Sequence, residues 1–445
     1  MKKSIFTFFT FFIIILFSCK KDSLDEVAGV AANLQLNFAP EIKSLGLSYK
    51  DAEVTLTNKT DGRIIKGISD ASGLIVFESV TPGNYSVVAA LTISAKDYQL
   101  LTGTTIAQDI VFNGSLETNI VANSGTLTIN LQSGAIGDWV IKQIYYGGSS
   151  TTNGAVFRDQ FIEIYNNSNQ VLYADSLYIS QIFGKNTRVS AVDTADPAYL
   201  SNGQYNWANA IGMNVANPNS NYVYMKSLLM IPGNGKQYPV QPGASIIIAQ
   251  NAQNHKASYV GSDGKPVSVK NPELTIDLSN ADFEAYYGDL EGINPLASDT
   301  DNPLIPNVKV FFRGGDRDLI LNNNGYEGIV IFKSKTNPTE LPGFPSPEIK
   351  AISNTTTLYK QLPINLIIDA VDIAHTTPSS RAAKRMPDAI DAGFTFTLGG
   401  AYSSHAVIRT TSKTIDGRRI LKDTNNSTED FVSINMADPS KTVFK

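Results

Sequence analysis

The sequence contains very little cysteine and histidine. One cysteine, Cys19, and three histidines occur among 445 residues. A single cysteine excludes an internal disulfide. Neither sign of charge is in large excess, since the formal net charge is −5 at pH 7. So mild a balance gives no reason to expect a nucleic acid partner.

The motifs of common enzymes are missing as well. The chain has no Gly-x-Ser-x-Gly elbow, His-Glu-x-x-His helix, phosphate loop or dinucleotide fingerprint. Its histidines, His255, His375 and His405, are scattered and lack metal-ligand spacing. A shared metal or haem site is the alternative to three isolated loop histidines. We therefore predict no catalytic residue, no cofactor and no metal site, and favour a protein that is not an enzyme.

Long apolar runs are confined to the first residues. Lys2 and Lys3 precede an apolar stretch at residues 5–17, which ends at Ser18 and Cys19. A membrane span needs about 20 apolar residues, so this shorter stretch suits the apolar region of a signal peptide. The order resembles a bacterial lipoprotein signal, although an ordinary secretory signal is the alternative.

That resemblance implies a signal peptide at residues 1–18, a lipid on Cys19 and a tether at residues 19–33. Two or more acyl chains hold a protein stably on a membrane. The acidic residues and lysines after Cys19 also resemble signals that send lipoproteins to the outer face of the outer membrane. We therefore expect a lipid-anchored protein of the outer membrane, displayed at the cell surface. A linker without such an address is the alternative.

Short β-strand patterns fill residues 34–132. Residues 53–57 alternate with period two, as a half-buried strand does. A following run carries Ser69-Asp70, then Gly73 and Phe77, then Pro82-Gly83-x-Tyr85-x-Val87. In this register it resembles the transthyretin-like, carboxypeptidase-regulatory-like β-sandwich. That resemblance implies a spacer or stalk without a catalytic centre.

The remainder, residues 138–445, carries a second set of strand patterns. Five pieces resemble, in the expected order, the lamin-tail immunoglobulin-like domain: residues 161–166, 242–249, 277–283, 368–372 and 423–431. The stretch also resembles an uncharacterised family of bacterial outer-membrane lipoproteins with this two-part build. We predict an all-β chain, in which an immunoglobulin/transthyretin-like sandwich precedes an enlarged lamin-tail-like sandwich. A sandwich of this kind needs about 100 residues, so the surplus is assigned to insertions at residues 183–236 and 282–345.

The first insertion is rich in aromatic residues and asparagine. Tyrosine and tryptophan offer a large contact area at low entropic cost, and asparagine offers adaptable hydrogen bonds. The mixture suits a glycan, a peptide or a small planar ligand. The alternative is that the aromatic side chains form the core of the insertion. The candidate ligand-binding residues are Tyr199, Tyr205, Trp207, Tyr222 and Tyr224.

Two kinds of charged segment remain. Acidic residues cluster at residues 299–302, 316–318 and 423–430, and either turn chemistry or a structural calcium ion explains such clusters. Residues 381–385 form a basic segment, which we interpret as a solvated loop, with a contact to anionic head groups or glycans as the alternative.

These features favour a lipid-anchored, non-enzymatic binding or accessory protein. Its partners would be the membrane, through the lipid, and an outer-membrane receptor, a glycan or a peptide, as in a nutrient-uptake system. One alternative is a hydrolase of surface polymers with carboxylates in the insertions. The other is a structural component of the cell surface.

Overall fold

The fold was determined as a computed structural model. The predicted signal peptide, Cys19 and most of the predicted tether lie outside the described residues. The structure therefore does not test the predicted lipid. Within the described part of the chain, we find no helix with the length and apolar character that crossing a membrane requires. The structure describes residues 28–38, 43, 46–102, 109–133, 138–168, 170–190, 193–415 and 417–445.

The described residues of the N-terminal part include seven strands and one helix. Hydrogen-bonded neighbours follow the order β3-β2-β5-β6-β7-β1-β4, with β1 and β7 parallel. Inward-facing residues of all these strands except β3 share one apolar core, including Leu34, Val54 and Val87. The elements are β1 (Val30–Phe38), β2 (Glu53–Asn58), β3 (Ile64–Ile68), β4 (Leu74–Val80), β5 (Gly83–Ile93), α1 (Ala95–Thr102), β6 (Ile110–Ile120) and β7 (Thr126–Ser133).

The turn before β4 explains its sequence signature. Asp70 Oδ1 accepts hydrogen bonds from Ser72 N at 2.8 Å and Leu74 N at 3.0 Å. The Ser72 side chain and these backbone amides lower the pKa of Asp70. Gly73 has φ +84°, and a Cβ there would meet the ring of Tyr49. Aspartate and glycine are therefore required by the local backbone.

Strand β3 lies at one end of the sheet order. It pairs with β2 through Glu53 to Thr57. Ile64 and Ile68 are 61% and 58% exposed, and Lys66 lies between them on the same exposed side of the strand. β3 is thus an edge strand whose apolar surface is interrupted by a positive charge.

The hydroxyl of Tyr85 fixes the turn before β5. It donates to Thr81 O at 2.8 Å and accepts from Asn58 Nδ2 at 3.2 Å, and Tyr85 is 1% exposed. We expect Tyr85→Phe to destabilise the protein by about 1–2 kcal/mol, because both hydrogen bonds are lost in a buried setting. Urea unfolding of the two proteins measures the difference, and an unchanged midpoint would contradict it.

In the described residues of the second part of the chain we find twenty strands and one short helix. They are β8 (Trp139–Tyr145), β9 (Phe161–Asn166), β10 (Leu172–Tyr173), β11 (Tyr178–Ile182), β12 (Tyr222–Met225), β13 (Leu228–Met230), β14 (Pro239–Val240), β15 (Ser245–Ala249), β16 (Tyr259–Val260), β17 (Pro266–Val267), β18 (Phe283–Glu284), β19 (Lys309–Phe312), β20 (Glu327–Phe332), β21 (Gly343–Phe344), β22 (Tyr359–Pro363), β23 (Ile367–Ile373), β24 (Ala406–Arg409), β25 (Thr411–Ile415), β26 (Arg418–Leu421), α2 (Ser427–Asp430) and β27 (Phe431–Ile434).

Two large sheets of this part face each other. One has the order β18-β15-β9-β8-β24-β27. The other contains β19-β13-β11-β12-β22-β21, with β20 joining β11 to β23. Their inner faces share one buried core, with Ile164 and Ile248 from the first sheet and Ile179 and Ile331 from the second. The predicted all-β fold is confirmed.

The predicted insertions are not loops throughout. Strands β12 and β13 lie within residues 183–236, and β20 lies within residues 282–345. Every residue of β20 is buried, and it pairs with both β11 and β23. The apolar run 328–332 is long enough to form a strand that is buried on both faces. The surplus residues therefore contribute sheet as well as loop.

The loop at residues 233–236 encloses a carboxylate. Asp175 Oδ1 accepts from Gly235 N at 3.0 Å and Gln237 N at 2.9 Å, and Oδ2 accepts from Tyr238 N at 2.9 Å. Burial raises the pKa of Asp175, but these amides outweigh it and leave the pKa below its usual value. The backbone amides of this glycine-rich loop thus bind an internal carboxylate.

Candidate functional site

The aromatic residues of the first insertion form a cluster of their own. Trp207 stacks on Tyr224 with 3.4 Å between ring centroids and 9° between planes. Phe183 stacks on Tyr359 at 3.6 Å and on Tyr205 at 5.4 Å. Trp207, Tyr205 and Tyr224 are only 6%, 7% and 2% exposed. Three of the five predicted binding residues therefore serve as the core that a long insertion needs.

The other two predicted residues lie nearer to solvent. Tyr199 and Tyr222 are half-buried at the margin of the cluster. Tyr199 stacks on Tyr205 with 5.6 Å between centroids. Tyr222 begins β12 and pairs with Pro363 of β22. Tyr222 can offer a ring edge to a ligand, which the buried residues cannot.

The carboxylate of Glu348 accepts hydrogen bonds from three side chains at this cluster. Lys185 Nζ donates to Glu348 Oε1 at 2.7 Å, and Tyr205 Oη donates to Oε2 at 2.6 Å. Tyr199 Oη also donates to Oε1. Burial raises the pKa of Tyr205, and the hydrogen bond to Glu348 raises it further. The carboxylate therefore holds both tyrosines neutral and fixes their orientation.

The basic segment 381–385 packs against the same cluster, so the interpretation as a solvated loop is wrong. Arg385 is 3% exposed and forms an ion pair with Asp372 at 3.5 Å. Its Nη2 donates to Lys185 O at 2.6 Å, and Gly184 permits this approach, because a Cβ there would lie 2.4 Å from Arg385 Cγ. Lys384 pairs with Asp388 at 2.7 Å. The buried carboxylate of Asp372 thus holds the end of the segment against the fold.

A depression opens where these elements meet, and we call it the aromatic depression. It is shallow and open to bulk solvent, and its enclosed volume is about 20 Å³. Pockets that enclose a small molecule occupy about 300–1,000 Å³, so this depression can contact only one side of a ligand. Four of the predicted residues line it, and Tyr199 lies behind Tyr205. Its lining is Phe183, Gly184, Lys185, Gly203, Gln204, Tyr205, Trp207, Asn219, Tyr222, Tyr224, Ala383, Lys384 and Arg385.

Two of the polar side chains that line the aromatic depression are amides, Gln204 and Asn219. Asn219 Nδ2 donates to Tyr205 O at 2.6 Å, and its Oδ1 accepts from Trp207 N at 2.9 Å. Gln204 and Asn219 are half-buried. The cationic side chains of the lining are paired with carboxylates, so they are not free to bind an anion. The remaining groups, aromatic rings and amides, suit a polar neutral ligand.

The histidines do not come together. His255 is buried beside Asn251 O at 3.0 Å, and burial lowers its pKa to about 4. His375 Nδ1 accepts from Thr377 N at 2.9 Å, and His405 Nδ1 accepts from Gly399 N at 3.1 Å. Across the described ranges, no three histidine, aspartate or glutamate side chains form a group that could hold a metal ion.

One acidic cluster is explained by an arginine that sequence inspection missed. Arg409 is 1% exposed. It contacts Asp369 at 2.6 Å, Asp423 at 3.2 Å and Asp430 at 3.2 Å. The predicted alternative of calcium at residues 423–430 is therefore unnecessary, because a guanidinium already lies among these carboxylates.

Fold and site together define a β-sandwich protein with an aromatic depression formed by its first insertion. Residues 241–438 match the model of a family described as a protein of unknown function (DUF4876). The match confirms the predicted resemblance to an uncharacterised family.

Three of the solved structures with some similarity to this chain come from the genus Bacteroides. A DUF4876 family protein from Bacteroides thetaiotaomicron is 23% identical, with a TM-score of 0.49 over 94% of this chain and 98% of that chain. A candidate adhesin from Bacteroides ovatus is 14% identical, with a TM-score of 0.18 over 38% of this chain and 58% of that one. A DUF3823 family protein from Bacteroides uniformis is 12% identical, with a TM-score of 0.16 over 47% and 95%. No curated protein matches the sequence.

Proposed function

We propose that this chain is a lipid-anchored, non-enzymatic binding or accessory protein of the outer membrane, exposed at the cell surface, and that the aromatic depression binds a glycan. The observation that carries the proposal is the convergence of two distant segments on that depression. Residues 183–224 supply rings and amides, and residues 383–385 close the opposite side. Aromatic rings pack against the C–H groups of sugar rings, and amides hydrogen-bond to sugar hydroxyls.

The anchor and the tether support this assignment by their place in the sequence. Lipidation at Cys19 would hold the folded part close to the membrane, and the N-terminal β-sandwich would act as a spacer. In such an arrangement the protein would present captured glycan to an outer-membrane uptake receptor.

Hydrolysis of surface polymers is the alternative function. A glycosidase needs two carboxyl groups about 5–10 Å apart beside the bound sugar. Glu348 lies behind the tyrosines of the depression and is bound by Lys185 and both tyrosine hydroxyls. A carboxylate engaged in this way serves to position the tyrosines, which is why we favour binding.

The proposal is tested by calorimetric titration of the full-length protein in detergent with a panel of neutral and acidic oligosaccharides. We expect Tyr222→Ala and Gln204→Ala to weaken binding at least tenfold each, about 1.4 kcal/mol, because both side chains face the opening.

Tyr173→Ala is the matched control. Tyr173 is half-buried on β10, which pairs with β14 outside the depression, so affinity should stay unchanged. Equal affinity in all variants would remove the depression as the site. Absence of binding by the whole panel would contradict the glycan, and release of reducing sugar would favour the hydrolase.

A further inference from the structure

Two buried carboxylates lie together in the second insertion. Asp299 and Asp318 are 1% and 2% exposed. Both lie at the neighbouring residues Gln250 and Asn251, which donate hydrogen bonds to the Asp318 side chain and to the carbonyl of Ser298, the residue before Asp299. Burying a pair of carboxylates is costly unless a positive charge accompanies them.

Gln250 and Asn251 lie beside these carboxylates. Their amide nitrogens donate hydrogen bonds, but their amide oxygens accept none from the described residues. Gln250 Nε2 donates to Asp318 Oδ2 at 2.5 Å, so Gln250 Oε1 lies at the same carboxylate. Asn251 Nδ2 donates to Ser298 O at 2.6 Å and to Tyr259 Oη at 3.2 Å. Tyr259 Oη also donates to Ser298 O at 2.7 Å, so the Asn251 amide and the Tyr259 hydroxyl meet at the residue before Asp299.

Among the buried oxygens that lack a hydrogen-bond partner in the described structure, four belong to these residues: Asp299 Oδ1, Asp299 Oδ2, Gln250 Oε1 and Asn251 Oδ1. Buried polar atoms in native proteins are normally satisfied, and an unsatisfied group points to water or an ion. A water molecule supplies two hydrogens and no charge. A divalent cation would satisfy all four oxygens and offset two negative charges.

The segment that carries Asp299 is held rigidly enough to form a site. Glu284 Oε1 accepts from Ala252 N at 2.6 Å, and Oε2 accepts from Asn302 N at 2.8 Å. Asn302 Nδ2 donates to Ala252 O at 2.7 Å. Residues 250–252 and 298–302 are therefore fixed to each other on both sides of the oxygen set.

We propose that Asp299 and Asp318, with the side-chain oxygens of Gln250 and Asn251, bind a divalent cation of the calcium type. Calcium takes carboxylate, amide and water oxygens in flexible geometry. Two carboxylates with neutral oxygens suffice, so the site does not need three acidic side chains. The ion would tie the second insertion to the end of β15.

The test uses the full-length protein in detergent after removal of metals with EGTA. Adding millimolar Ca²⁺ is expected to raise the melting temperature by about 5 °C, because an ion that binds the folded state stabilises it. Tb³⁺, a calcium probe, should luminesce on excitation of tyrosine, since Tyr259 lies beside the site.

Asp299→Asn and Asp318→Asn should abolish both responses, whereas Asp301→Asn is the control. Asp301 is an exposed acid in the same loop, so its variant should behave like the original protein. The asparagine variants remove like-charge repulsion and should stay folded. The proposal is wrong if the original protein shows neither response, or if Asp299→Asn retains both. A higher melting temperature of Asp299→Asn without any effect of Ca²⁺ would indicate a proton shared by the two acids.

Discussion

Replacing Arg409 with methionine is expected to destabilise the protein by about 3–5 kcal/mol, because removing one partner of a buried ion cluster leaves charge without compensation. Arg409 ends β24 and contacts Asp369, Asp423 and Asp430, all of them buried. Its Nε also donates to Ile141 O at 2.8 Å. Urea unfolding of the full-length protein measures the loss.

We expect the Arg409→Met substitution to weaken both large sheets, because the ion cluster connects them. Asp369 lies on β23 of one sheet, and its Oδ2 accepts from Ile141 N of β8 at 2.6 Å in the other. Arg419→Met is the control, because Arg419 is exposed and should change stability by no more than about 0.5 kcal/mol. Asp369→Asn should recover part of the loss in the Arg409→Met background. A loss below about 1 kcal/mol would show that the cluster contributes little.

Replacing Cys19 with serine is expected to abolish incorporation of labelled fatty acid and to move the protein from the detergent phase into the aqueous phase. The variant removes the thiol that our proposal assigns as the lipid attachment site, and each buried methylene contributes about 0.8 kcal/mol to membrane binding. Phase separation in Triton X-114 measures the change.

Ser18→Ala provides the control for the lipid experiment. Alanine keeps a small residue beside the proposed cleavage site, so both lipid and partitioning should be retained. Because Cys19 is the one cysteine in the chain, no second thiol can replace it. An unmodified, water-partitioning original protein would contradict the anchor without touching the proposed glycan site.

Local features were predictable where a few neighbouring residues decide the backbone. The turn with Asp70 and Gly73 has its hydrogen bonds within residues 70–74, so its motif could be recognised. The position of β20 was missed, because a strand buried on both faces lacks the period-two pattern. Its continuous apolar run was the available signal.

The candidate site was predictable in composition but not in its contacts. Five aromatic residues were selected, yet sequence spacing could not show which would be buried. Glu348 binds Tyr205 across 143 residues, and Arg385 binds Lys185 across 200. Only the sheet pairing of β12 with β22 and of β11 with β20 brings such distant segments together. The basic segment was misjudged for the same reason, since Asp372 lies on β23.

The edge strand β3 bears on how copies of this protein would tolerate crowding. Exposed strand edges invite pairing between molecules, which leads to aggregation. Ile64 and Ile68 would favour such pairing, but two β3 strands meeting side by side would bring the positive charges of their Lys66 side chains together. Repulsion between these ammonium groups would keep neighbouring molecules separate even at high density.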